Sequence, residues 1–317
     1  MKLNSTESLK GEYVFYKNGV EVYRSKNIIT TKGKDSVIAY LSKQSYEYAT
    51  KITLGVGTAT PAVTDEFMGF EIFPVPVQFK TVDATQTPTQ IVFRATLPAV
   101  FKGVITEAGL ASIGGVLLGG ISDINDNNDL IAVFDDTYES WSTPANVVFV
   151  SNDLEGTPLL RIGDSGLQIT ASGGTTTSTY DNISSYVGSY TTGDKMKVAF
   201  NVASSVPTSV SIKFANDSSN YYTATIPAAN MALGYNVKTI DFSSMTVTGT
   251  PLIQNTTSIS VSVASSSSSV VTMDGIRFDE YSDLDKATLV SRSLLATPLV
   301  VEGGYPFDIE YRLGFNL

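Results

Sequence analysis

The stretch "ITLGVGTATPAVTDEF", Ile52 to Phe67, sets two closely spaced glycines behind an apolar run and follows them with Thr, Pro and acidic residues. Glycine backbone can approach a phosphate closely and donate amide N–H groups to it. That chemistry asks for more than Gly55 and Gly57. The stretch lacks the third glycine of a dinucleotide loop and the Gly-Lys-Ser/Thr of a P-loop, and no helical periodicity follows it. The spacing predicts a strand that ends tightly at the glycines, with Pro61 and Asp65 shaping the loop to the next strand.

Acidic residues are the next candidates. "DINDNND", Asp123 to Asp129, places Asp123, Asn125 and Asn127 at the first three alternating positions of a calcium loop. Asn128 stands where that loop needs glycine, and Phe134 stands at the twelfth position where it needs glutamate. The pattern predicts a polar linker. Paired carboxylates for glycoside cleavage must face one groove, and plentiful acids in a sequence do not establish that. The chain contains no histidine and no cysteine. A Ser-His-Asp triad, a thiolate nucleophile, zinc ligation by imidazole or thiolate, and disulfides are thereby excluded. With no motif in their place, the chain is expected not to be an enzyme and to need no organic cofactor.

The 317 residues suffice for two domains, and 42% of them are apolar, enough for real cores. A net charge of −10, with no Lys/Arg cluster, argues against a nucleic-acid partner. No apolar run reaches membrane-spanning length, and "MKLNSTESLKGEY" is too polar for a secretory signal. No membrane partner is expected.

These residues need strands to position them. "YVFYKNGVEVY", residues 13–23, predicts a hairpin turning at Asn18-Gly19. Lys34 to Lys43 predicts one short helix with Val37, Ile38 and Leu41 on a single face. "FPVPVQFK" predicts an edge strand, where proline is tolerated. "TQIVFRATLP" reads as a strand, and "GVITEAGLAS" as a strand running into a turn. From Phe134 to Glu280 strand-sized runs alternate with Ser, Thr, Gly and Asn, as expected of a β-sandwich or jelly roll. Val210, Ile212 and Phe214 alternate with polar residues, as do Ile259, Val261 and Val263. The run Ser265–Ser269 reads as a loop. "FDIEYRLGF" near the end predicts a strong strand belonging to the first domain, so the middle domain reads as an insertion at a loop.

Taken together, "NIITTKGKDSVIAYL", "ITLGVGTATPAVTDEFMGFEI", "ITEAGLAS" and "FDIEYRLGF" resemble a module recurrent in structural proteins of tailed bacteriophages, of tail-fibre or virion type. Its "GxGT…P…D…L/M" element corresponds to Gly55, Gly57, Pro61, Asp65 and Met68, and its "E-x-GL" turn to Glu107, Gly109 and Leu110. The resemblance implies a virion-docking β domain at 1–133 and 284–317, mainly β with one short helix. Residues 134–283 form the large insertion by which this chain departs from the pattern.

In the insertion, "VFDDTYESW" and "VVTMDGIRFDE" resemble the first and last strands of carbohydrate-binding jelly rolls. In that superfamily an early acidic loop and a late Asp-x-Ile strand share a structural calcium (Ca2+). By position this implies Asp135, Asp136, Glu139 and Asp274 as candidate ligands. The alternative is that Asp274 faces solvent or caps a turn. Exposed aromatic rings could stack on sugars, and Trp141, Tyr138, Tyr180, Tyr186, Tyr190, Tyr221 and Tyr222 are the candidates. Adjacent strand residues face opposite sides, so one of Tyr221 and Tyr222 is expected outside; the other, with Trp141, would be core.

The resemblance implies a non-enzymatic structural protein of a bacteriophage virion, a capsid decoration, head-fibre or tail-fibre type assembled in the host cytoplasm. It would dock to other virion proteins as a homo-oligomer and project the jelly roll. The alternative is a glycan-binding receptor for host surface polysaccharide. A polysaccharide-degrading enzyme is the third reading.

Overall fold

The computed structural model describes residues 9–42, 49–86, 89–113, 130–134, 139–152, 160–181, 183, 193–279 and 287–315. The chain divides into two compact units, Met1–Asn127 with Asp283–Leu317, and Asn128–Ser282. The first opens with β1 (Leu9–Lys17), β2 (Val20–Lys26), β3 (Ile28–Ile29) and α1 (Thr31–Leu41). It continues through β4 (Lys51–Gly55), β5 (Glu71–Pro76), β6 (Phe79–Asp83), β7 (Gln90–Leu97) and β8 (Gly103–Ile113). The second unit holds β9 (Leu130–Ala132), β10 (Val147–Ser151), β11 (Ser165–Asp181), β12 (Lys195–Val202) and β13 (Ser209–Ala215). Then come β14 (Tyr221–Pro227), β15 (Gly234–Asp241), β16 (Thr246–Thr248) and β17 (Ser258–Asp279). β18 (Ala287–Val301) and β19 (Phe307–Phe315) return to the first unit.

The first unit is a sandwich of two five-stranded antiparallel sheets, ordered β2-β1-β19-β7-β6 and β3-β18-β8-β4-β5. One core lies between them, with Tyr13, Phe15, Phe93 and Tyr311 from the first sheet and Ile52, Leu54, Leu110 and Val290 from the second. The alternation in β19 does what its pattern predicts: Ile309, Tyr311 and Leu313 are buried while the strand sits centrally between β1 and β7. Asn18 and Gly19 take φ of 52° and 76°, the left-handed pair that closes a tight hairpin between β1 and β2. β5, with Pro74 and Pro76, is an edge strand.

Two expectations are corrected here. α1 begins at Thr31, capped by Thr30, whose Oγ1 accepts the Gly33 amide at 2.8 Å. Its inward line is the buried Gly33 and the partly buried Val37, one turn apart and packed toward β18 and the core. Ile38, a further 100° round the helix, is 64% exposed. Lys43 lies outside the described residues. "E-x-GL" is not a turn: Glu107, Gly109 and Leu110 run through the middle of β8, paired to both β4 and β18. Gly109 stands there because a Cβ would fall 2.5 Å from Met68 Sδ and 2.6 Å from Thr53 Oγ1.

The second unit is organised by two long strands. The outer half of β11, Gly174–Asp181, pairs with Ser258–Ser265 of β17, which pairs in turn with β13, then β14 and β16. The other half of β11, Leu167–Ser172, pairs with Ser268–Met273 and carries β10 on its far side, while β12 and β15 follow on the other side of β17. Val210, Ile212 and Phe214 of β13 share one core with Val198 and Phe200 of β12, so the two halves close as a β-sandwich. Ser265–Ser269 is therefore not a loop. It is continuous strand within β17 and carries a bulge there, Ser266 and Ser267 standing opposite the single residue Gly173 of β11, whose φ is +70°. Serine is a weak strand former but not a breaker, and the pairing to β11 decides its state. Among the described residues no helix is long and apolar enough to cross a membrane.

Candidate functional site

The glycine stretch does hold an anion, and the anion belongs to the chain. Glu107 is fully buried, and its carboxylate accepts the amides of Gly57 (2.9 Å), Gly69 (2.9 Å) and Phe70 (2.6 Å). Arg292 of β18 completes the cluster, donating Nε to Glu107 at 2.8 Å and Nη1 to Asp65 at 2.7 Å, with Nη2 on the Ala59 carbonyl at 3.1 Å. Burial works against the Arg292 charge; the Glu107 and Asp65 carboxylates more than reverse it and hold its pKa above the ordinary value. The glycines are required by packing, since a Cβ at Gly57 would lie 2.4 Å from Glu107 Oε1. Asp65 also accepts the Ala62 amide at 2.9 Å, which shapes the loop around Pro61 as its sequence implies. With these amides occupied from within, the loop is a clamp between β4, β8 and β18 and offers nothing to a phosphate.

Of the candidate calcium ligands, Asp135 and Asp136 lie outside the described residues, as do Asp123–Asp129, Tyr138, Tyr186 and Tyr190. Glu139 accepts from the Val133 amide (2.7 Å), the Phe134 amide (3.0 Å) and Trp141 Nε1 (2.7 Å). Asp274 is fully buried at a bulge, between Met273 and Gly275, which pair with Phe200 and Ala199. Its carboxylate accepts the Arg161 amide at 2.9 Å, the Ile162 amide at 3.2 Å and the Tyr235 hydroxyl. The Arg161 guanidinium lies 3.9 Å over the Tyr235 ring. A calcium site needs converging oxygen acceptors, whereas N–H and O–H donors converge here. The residues present at Asp274 do not fit the ion, and among the described residues no three carboxylates come together to hold a metal. Asp274 instead caps the 160–162 segment. Burial pushes its pKa up to about 7, against the pull of the Tyr235 hydroxyl, the two amides and the Arg161 charge.

The aromatic candidates separate cleanly. Trp141 is 4% exposed, stacked between Phe134 (4.8 Å) and Tyr180 (5.6 Å), and presents no face to a sugar. Tyr222 turns inward, its ring 5.0 Å from Phe242 and its hydroxyl donating to the Pro251 carbonyl at 2.9 Å. Tyr221 faces the other way, half-buried, with Lys213 Nζ 5.1 Å over its ring.

Around Tyr221 the strand registers assemble a surface that the sequence reading did not single out. One row crosses four strands as Thr177, Ser262, Ser211 and Thr225; the next crosses five as Thr179, Ser260, Lys213, Thr223 and Thr246. A third ends at Tyr221 and Thr248. Hydroxyl pairs lie at 2.8 Å (Thr177–Ser262), 3.0 Å (Thr179–Ser260) and 3.1 Å (Ser211–Thr225). The signal was present in the alternation: these are the polar partners of Ile259, Val261, Val263 and Val210, Ile212. Which of them share a row follows only from register.

β16 covers β14 only from Tyr221 to Thr223. Beyond that, an open cleft of about 450 Å3 lies between β14 and β15. Thr225, Asn230, Lys238 and Thr239 supply its polar lining, and Ile226, Met231 and Ile240 its apolar lining. Thr225 also ends a hydroxyl row, so cleft and surface are continuous.

No protein-family model matches the chain, and no curated protein matches it. Solved structures similar to it include the family 11 carbohydrate-binding module of Clostridium thermocellum in complex with a β-1,3-1,4-mixed-linked tetrasaccharide. That likeness has 14% identity and a TM-score of 0.34, over 47% of this chain and 94% of the other. TmCBM61 in complex with β-1,4-galactotriose gives 10% identity and a TM-score of 0.30 over 49% and 96%. An exo-β-agarase gives 13% and 0.32 over 44% of this chain, which spans only 24% of that enzyme. At these values the likenesses carry no conclusion about ligand, activity or origin.

Proposed function

We propose that the second unit is a non-enzymatic glycan-binding β-sandwich that engages surface polysaccharide on the face built by β11, β17, β13, β14 and β16. The observation that carries this reading is the set of cross-strand hydroxyl rows with Tyr221 at their margin. Serine and threonine hydroxyls both donate and accept, as sugar hydroxyls do. They are short and lose little rotamer entropy on binding, so an extended chain can lie across them at low ordering cost. Tyr221 supplies the apolar ring against which a sugar C–H face can pack. The outward face of β19 and its neighbours in the first unit is different in kind, with Arg94, Arg312 and Tyr16 all bonded to Glu310 in a closed ionic ladder.

Binding to an array of bacterial surface glycans tests the reading. Selective binding is expected, weakened about tenfold or more by Tyr221→Ala. Silence across the array, or binding untouched by that substitution, would sink it. No residue has a catalytic role in this reading; release of reducing ends from capsule or wall material by the purified protein would overturn that part.

For the first unit we propose the docking role, with other virion proteins or further copies of the chain as partners. Its support is that the glycine loop, the central Glu107 and Arg292 form a structural clamp rather than a ligand site. Immunogold labelling of intact bacteriophage particles tests the placement, and unlabelled particles would remove it.

A further inference from the structure

We infer that the cleft between β14 and β15 receives a carboxylate-bearing sugar unit of the glycan, an inference that rests on the glycan-binding reading of the adjoining face. The volume, about 450 Å3, lies within the range of small-ligand sites and is ample for one sugar ring. Its lining has the mixture a sugar needs. Ile226, Met231 and Ile240 give an apolar floor for ring C–H groups, while Thr225, Asn230 and Thr239 give hydroxyl and amide groups that donate and accept.

Charge specifies the class. Among the described residues Lys238 lines the cleft and no carboxylate does. Its neighbours on the same pair of strands are neutralised: Lys195 holds Asp241 at 2.9 Å, and Lys197 is paired with the buried Asp279. Lys238 has no ion-pair partner among the described residues. In a chain of net charge −10, a cleft with a lysine and no acid is a local inversion of sign. A sugar carboxylate there would gain a charge-assisted hydrogen bond, about twice as strong as a neutral one.

Geometry links the cleft to the face. Among the described residues β15 pairs only with β12, and β14 beyond Thr223 has no strand on its outer side, so the cleft lies at two strand edges without a described neighbour. Thr225 belongs to both surfaces. A polysaccharide lying along the hydroxyl rows would deliver an acidic unit past Thr225 to Lys238.

The test is an array of uronate-, sialate- and pyruvate-bearing glycans, each beside its carboxyl-reduced form, probed with the full chain and two variants. Binding of acidic members is expected to exceed that of their reduced forms by about tenfold or more. Lys238→Gln should bring the two to near equality, and Lys238→Arg should retain the preference. Tyr221→Ala should weaken acidic and reduced members alike. Trp141 fluorescence checks that each variant is folded. Equal binding of acidic and reduced forms, or an unchanged preference in Lys238→Gln, overturns the inference and leaves the glycan reading standing. Absence of binding to every member overturns both.

Discussion

Glu107 in the first unit and Asp274 in the second are both 0% exposed, and both hold a loop distant in sequence by accepting its backbone amides. They differ in what balances the charge. Glu107 meets a guanidinium, with Arg292 Nη2 at 2.7 Å in addition to the Nε bond. Asp274 meets two amides and a phenol, while the Arg161 guanidinium lies over the Tyr235 ring. At Glu107 the buried carboxylate and the Arg292 guanidinium are in direct contact, a buried ion pair further satisfied by backbone amides. At Asp274 the hydrogen bonds and the Arg161 charge together leave the desolvation cost dominant, and the carboxyl gains a proton, with a pKa of about 7. Asp274 is thereby a pH-sensitive element of the second unit's architecture.

Removing Glu107 is the largest break available. Glu107→Ala leaves a buried arginine without its main partner and three amides without an acceptor, and is expected to cost about 3–5 kcal/mol. The double variant with Arg292→Met should recover more than half of that loss, because the uncompensated charge goes too. Denaturant unfolding followed by far-UV circular dichroism reads the effect. Fluorescence separates the units, since Trp141 is the only tryptophan and lies in the core of the second. A loss under about 1 kcal/mol, or no recovery in the double variant, would refute the clamp.

Asp274 sharpens the other side. Its native pKa, about 7, stands above the ordinary 3.8 of the unfolded chain. Below about 4 both states are protonated and its contribution is fully present. As pH rises from there through 7 the folded state retains a proton that the unfolded state has lost, so stability falls, by at most about 1.4 kcal/mol per pH unit. Asp274→Asn should flatten this slope. It should also cost about 1–3 kcal/mol at pH 5, because either orientation of the amide sets its NH2 against a backbone N–H of Arg161 or Ile162. Urea titrations at pH 4 to 8, read by Trp141 emission, check both; parallel slopes in parent and variant would assign the pH dependence elsewhere.

Much of the frame was legible because local pattern and tertiary role agree there. Asn18-Gly19 could only turn, Ile309–Leu313 could only be half-buried strand, and Pro74 with Pro76 had to lie at an edge. What could not be read were the places where a partner far along the chain changes the meaning of a residue. Glu107 inside an apolar run looks like the end of a strand until Arg292, 185 residues away, neutralises it. Ser265–Ser269 looks like a loop until pairing to β11 gives it a partner. The calcium reading of Asp274 took a carboxylate at the right position for an acceptor site, and only the structure shows that donors surround it. The hydroxyl rows were half-visible: alternation supplied each strand's outer residues, but register across five strands was needed to make a surface of them.

The smallest effect separates two uses of glycine, one in each unit. Gly57 has its side-chain space occupied by Glu107, so its requirement is steric. Gly173 is the opposite case: nothing lies within 4 Å of the position a Cβ would take, and the requirement is its φ of +70° opposite the β17 bulge. Gly173→Ala should therefore cost only the backbone penalty of an L-residue in the left-handed region, about 1 kcal/mol. Gly173→Asn should cost less, since asparagine tolerates that region. If alanine and asparagine were equally costly in Trp141-monitored unfolding, strain at φ would not be the reason for the glycine. The bend that lets β11 and β17 pass through both halves of the sandwich, and with it the registration of the hydroxyl rows, would then depend on another feature of the bulge.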